Sequence, residues 1–134
     1  MKISSSAPCP CHSGEKYKKC CQPYHKGILP SNALKLMRSR YCAYSLGLSD
    51  YIMGTTHCNN SDFTDDLIAW RTSIDSFSRS TVFGGLKILE FIDDKNMAFV
   101  TFEALLNYTP FTEKSRFLCV EGRWLYEKMF LISE

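Results

Sequence analysis

The sequence predicts an α+β protein in which helices come first, a curved four-stranded antiparallel sheet follows, and a small cysteine-rich knuckle stands in front. Three observations carry this reading. Four cysteines crowd into residues 9–21, apolar residues recur at three- and four-residue intervals from Leu34 to Phe77, and β-branched and aromatic runs fill residues 82–132. With 134 residues, 45% of them hydrophobic, the chain supports one ordinary core and is too short for two normal domains. One domain with an appendage is expected.

Residues 1–8 read as a polar lead without the apolar centre of a signal peptide. Gln22 to Asn32, punctuated by Pro23, Gly27 and Pro30, reads as a connector, so residues 1–30 form the knuckle with its connector and residues 31–134 the main domain. There Leu34, Met37, Tyr41, Tyr44 and Leu48 share one helical face, and Ser31 or Asn32 supplies an N-cap, which predicts a helix over about 32–47. Ser49 to Thr55 is expected as a second short helix, and His57, Cys58, Asn59 and Asn60 as a polar turn. Phe63, Leu67, Trp70, Ile74 and Phe77 predict a third helix ending near Ser78, with Asp65 and Asp66 in its first turn, where the helix dipole favours acids. Strands are expected over Val82–Ile92 and Ala98–Tyr108, joined through Asp93 to Asn96. A second pair, Lys114–Val120 and Arg123–Ile132, turns at Glu121-Gly122, and helices before antiparallel strands imply helices covering one face of the sheet.

Composition narrows the class further. No run approaches the roughly 18 apolar residues of a membrane helix, so membrane insertion is not expected. Of the seven cysteines, Cys42, Cys58 and Cys119 are scattered; an odd number with four clustered points to metal in a reducing cytoplasm rather than to a secreted disulfide scaffold. The net charge of +2 hides an asymmetry: residues 1–40 hold eight Lys or Arg against the single acid Glu15, while residues 41–134 hold eight bases and thirteen acids. A basic first part calls for an acidic partner.

Cys9 and Cys11 are one residue apart, eight residues follow, and Cys20 and Cys21 are adjacent, so four soft ligands lie within thirteen residues. Four sulfurs suit tetrahedral Zn²⁺ and close its shell, which makes the ion structural and leaves no position for water or substrate. Iron takes the same ligand set, and His12 or His25 is near enough in sequence to replace Cys21. Ser13-Gly14 supplies a turn, and Glu15 to Lys19 one helical turn that brings the second pair back onto the first.

The run Cys9-Pro-Cys-His-Ser-Gly-Glu-Lys-Tyr-Lys-Lys-Cys-Cys21 resembles the SEC-C motif, the zinc knuckle at the tail of the preprotein translocase motor SecA. That resemblance implies Cys9, Cys11, Cys20 and Cys21 as the ligands. Leu36-Met-Arg-Ser-Arg-Tyr-Cys-Ala-Tyr44, Glu113-Lys-Ser-Arg-Phe-Leu118 and Gly122-Arg-Trp124 extend the likeness to the YchJ family of bacterial proteins. The family resemblance implies a SEC-C knuckle followed by a nuclear transport factor 2-like cone of helices on a curved sheet. Longer members end with a second SEC-C copy, whereas this chain stops at Glu134.

Two functional classes follow. As an adaptor, the knuckle would dock a protein partner or the ribosome, the role the SecA resemblance implies, with Lys16, Lys18, Lys19 and Lys26 meeting phosphate or acidic side chains in a salt-sensitive contact. The plainer alternative is a solvated basic face, with Tyr17 and Tyr24 packed on the metal core rather than stacked on a base. As a small-molecule binder or enzyme, the protein would use the cavity between sheet and helices, for which Tyr41, His57, Trp70, Glu103, Arg116 and Trp124 are the candidate lining groups. No catalytic arrangement is recognisable; Glu103 and His57 are the two candidates for acid–base work. Arg38 and Arg40 are expected to pair with acids, Arg116 with Glu103 or Glu127, and Cys42 to be a buried small hydrophobe. Apolar residues on the outer sheet face make a homodimer an expectation.

Overall fold

Helix α2 (Ala33–Leu46) organises the protein. The computed structural model describes residues 3–133, with side chains through residue 130, so Met1, Lys2 and Glu134, at the ends of the expected lead and tail, lie outside the described residues. Asn32 caps α2 by accepting from the Lys35 N–H at 2.8 Å. Gly47 ends it in the left-handed conformation (φ +72°), with Leu48 N–H bonded to Ala43 O at 2.8 Å and Gly47 N–H to Tyr44 O at 3.2 Å. The predicted apolar face is only part of what α2 buries: Ala33, Leu36, Ser39, Arg40, Cys42 and Ala43 are buried as well. The helix has neighbours on several sides, namely the knuckle, the sheet and the later helices.

Helix α1 (Gln22–His25) lies within the expected connector, α3 (Ser49–Gly54) follows α2, and α4 (Leu67–Arg79) begins four residues later than the phase from Phe63 suggests. Asp66 is the reason: it is the N-cap, its Oδ1 accepting from Ala69 N–H at 3.1 Å, so neither Asp65 nor Asp66 sits in a first turn. Phe63 stays outside the helix and packs edge-on against Trp70, centroids 5.4 Å apart, while Leu67 is exposed. Trp70 and Ile74 form a small second core with Ala43 and Ile52.

Four antiparallel strands in the order β1-β2-β3-β4 make the sheet: β1 (Phe83–Asp93), β2 (Met97–Leu106), β3 (Thr109–Val120) and β4 (Arg123–Ser133). The β3–β4 turn falls at Glu121-Gly122, both with positive φ (51° and 82°), as the sequence predicts. The β2–β3 turn is a second two-residue turn of this kind at Asn107-Tyr108 (φ 52° and 67°), so residues 109–113 are strand rather than connection. The free edge of β4 is covered by the expected polar turn: His57 N–H donates to Tyr126 O, Tyr126 N–H to Thr55 O, and Asn60 Nδ2 to Glu127 O. The main core lies between α2 and the concave face, where Val100, Phe102, Ala104, Phe117 and Trp124 are buried. On the described outer face, Lys114 lies over the Phe99 ring, and Arg116 and Lys128 over the Phe130 ring.

Candidate functional site

The sulfurs of Cys9, Cys11, Cys20 and Cys21 all lie within 4.8 Å of one another, with Cys11 to Cys20 at 3.5 Å and Cys20 to Cys21 at 3.9 Å. Zinc–sulfur bonds of about 2.3 Å in a tetrahedron place sulfurs about 3.8 Å apart, so the four residues fit a single ion. Local chain geometry builds this cluster. Cys9 N–H bonds to Glu15 O and Tyr17 N–H to Ala7 O, a small antiparallel bridge pairs Pro8 with Lys16, and Gly14 at φ +91° makes the return between them. A single 3₁₀ turn, Tyr17–Lys19, then delivers Cys20 and Cys21. The lead is part of this fold, since Lys18 N–H also bonds to Ser5 O and Ile3 packs on the core. Crowding the sulfurs creates a conflict that a cation would remove: burial pushes Cys20 up to about 11, hydrogen bonding with Cys11 pushes Cys21 far higher, and hydrogen bonds from neighbouring sulfurs hold Cys9 down.

The groups around the cluster support thiolate ligands. Ser13 Oγ lies 3.1 Å from Cys20 Sγ, and Arg38 Nη1 donates to Cys11 O at 3.2 Å and reaches Cys11 Sγ at 3.8 Å. Arg38 therefore serves the knuckle instead of the expected acid. Cys42 Sγ is 3.9 Å from Cys9 Sγ, so this residue is buried as expected and also touches the sulfur cluster. Neither histidine competes for the cluster. His25 Nε2 lies 2.8 Å from the Ser39 carbonyl, which only accepts, so Nε2 carries the proton and Nδ1 accepts from the Tyr17 hydroxyl at 2.7 Å. His12 turns to the Phe83 carbonyl at 3.2 Å. Tyr17 is buried in the core, while Lys16, Lys18, Lys19 and Lys26 are all exposed.

The knuckle and the cone each have known counterparts. The SEC-C motif matches residues 6–23, and the family described as "YchJ, middle NTF2-like domain" matches residues 32–129. The chain belongs to the YchJ family. Among YchJ relatives, a UPF0225 protein of Streptomyces coelicolor is 37% identical over 123 residues, covering 89% of this chain and 91% of its own length. A UPF0225 protein of Sodalis glossinidius is 36% identical over 129 residues, covering 90% of this chain and 80% of its own. The solution structure of a SEC-C motif-containing protein from Rhodopseudomonas palustris superposes with a TM-score of 0.82 at 27% identity, covering 95% of this chain and all of that one. The α+β reading, with a SEC-C knuckle before a nuclear transport factor 2-like cone, therefore holds.

The YchJ cone forms a pocket of about 220 Å³, open to solvent on one side, between α2, α4 and the inner sheet face, and a neighbouring hollow shares Arg40, Tyr44, Phe77 and Tyr126 with it. Of the residues expected to line a pocket, Tyr41 lines this cavity, Trp70 the neighbouring hollow, and Trp124 a separate hollow beneath the connector. Three lie elsewhere. Glu103 is exposed and faces Lys87 across the β1–β2 ladder; Arg116 pairs with Glu127 at 2.5 Å; and His57 Nδ1 accepts from Asn59 N–H in the edge-covering turn. In their place stand Arg40, Glu113, Ser115 and Tyr126, which sequence reasoning missed. Phe117 gave the signal: two and four residues before it on β3, Ser115 and Glu113 share its face. Among the described residues Arg40 forms no ion pair; Nη1 donates to Ile52 O and to the Thr55 and Thr56 hydroxyls, and the guanidinium stacks 4.8 Å from the Tyr126 ring centre. No helix among the described residues is long and apolar enough to cross a membrane.

Proposed function

We propose that this YchJ-family protein is a zinc-binding adaptor of the reducing cytoplasm that docks an acidic surface, such as that of the ribosome, through its knuckle. The observation that carries this reading is the combination of a compact four-sulfur centre, three of its cysteines buried, with four exposed lysines on the same segment. Zinc supplies a rigid cross-link there and no chemistry, because four thiolates complete its shell. Four of the seven cysteines gather at one metal-binding cluster, the usage expected of a reducing compartment. Contacts between lysines and phosphates release counterions, so the binding weakens steeply with salt.

Because the sulfurs belong to the core, removing them perturbs the whole fold, and the cleaner probe of docking is a charge change on the exposed lysines. The test is co-sedimentation of the chain with ribosomes at about 50 and 200 mM salt, comparing wild type with Lys16→Glu/Lys18→Glu/Lys19→Glu. Wild type is expected in the pellet at low salt and in the supernatant at high salt, with the triple variant soluble at both. Zinc-loaded wild type that stays in the supernatant at low salt overturns ribosome docking.

A further inference from the structure

The pocket of the cone is large enough and apolar enough for a small ligand: about 150 Å³ of apolar space already accommodates benzene. Here about 220 Å³ is walled by rings, among them Tyr41, Phe77, Phe83, Phe102 and Phe111. Strand β3 nonetheless places Glu113 and Ser115 at two successive inward positions between Phe111 and Phe117. An apolar pair there would pack without desolvating a carboxyl group. Departures of this kind from local consistency gather at functional sites.

The polar groups also define what fits. Glu113 Oε2 accepts from the Ser115 hydroxyl at 2.5 Å and from the Tyr126 hydroxyl at 3.5 Å, so among the described residues one oxygen fixes the carboxyl group and the other is left for a ligand. Arg40 is held by the two N–H groups of Nη1, shared among Ile52 O and the Thr55 and Thr56 hydroxyls, and by stacking on Tyr126, which places a fixed positive charge beside the same pocket. Glu113 and Arg40 already place one acidic and one basic group on this wall, and a charged ligand would add an uncompensated charge there. We propose that this cavity binds a neutral flat-ring molecule that directs one O–H or N–H donor at the Glu113 carboxyl group. The ring packs among the aromatic walls, and the donor fixes its orientation. The site is separate from the knuckle lysines, so it stands or falls independently of ribosome docking.

The test is calorimetric titration of the full zinc-loaded chain with 2-naphthol and, in parallel, with 2-methoxynaphthalene, which has nearly the same shape and no donor. 2-Naphthol is expected to bind roughly tenfold or more tightly, the size of one hydrogen bond to a carboxylate. Glu113→Ala should erase that preference while leaving weak binding of both. Ala104→Leu, which adds bulk to a wall residue 1% exposed, should abolish both. Should either variant fail to fold, the wild-type comparison decides alone: equal affinities for the two probes, or no binding of 2-naphthol at millimolar concentration, overturn the proposal.

Discussion

At the scale of single residues, the two most informative side chains are polar ones placed among apolar neighbours. His25 ties α1 to α2, one nitrogen on the Tyr17 hydroxyl and the other on the Ser39 carbonyl, and burial holds it below its ordinary value, so it stays neutral in this bridge. Glu113 is the opposite case: burial raises its carboxyl above the ordinary 4.5, partly offset by the bonds from Ser115 and Tyr126 and by the charge of Arg40. The folded state thus holds this proton more tightly than the unfolded chain, and the slope of stability with pH is negative through the window between the two values. The stabilising contribution is complete below about 4.5 and is lost as pH rises through the raised value. Urea melts of wild type and Glu113→Gln across this window check the sign. The variant is expected to gain on wild type as pH rises, and a difference that stays flat or moves toward wild type contradicts the reading.

At the scale of elements, helix limits come down to caps. Asp66→Ala is expected to destabilise by about 1 kcal/mol, lowering the melting temperature by about 4 °C, while Asp65→Ala changes it little. Equal losses from the two variants would return Asp65 and Asp66 to the shared first-turn role the sequence suggested. Much of the fold was legible because its signals are local: Asn32 and Gly47 bracket α2, Glu121-Gly122 makes its turn, and the cysteine spacing brings together four sulfurs. The start of β3 was hidden by Pro110 and by the polar run behind it, and Asn107-Tyr108 lacks the glycine that usually marks such a turn. The cavity's polar floor was hidden for a related reason. Arg116 and Glu103 were read as facing inward, but the pleat puts Ser115 and Glu113 there, and a one-residue error in phase exchanges the two faces of a strand.

At the scale of the whole molecule, the knuckle is no appendage. Cys9, Cys11, Tyr17 and Cys21 belong to the same buried cluster as Leu36, Met37, Cys42, Phe102 and Phe117, joined further by Arg38 and His25. These contacts are distant in sequence, which is why composition and spacing could not show that the two parts share a core. A metal bound by the four sulfurs thus supports the cone as well as the knuckle, with structural zinc worth about 10–16 kcal/mol in isolated peptides. The most direct test is elemental analysis of the folded chain, purified without added metal. One zinc per chain is the expected result; a folded chain that carries no metal, or carries iron in its place, would contradict it.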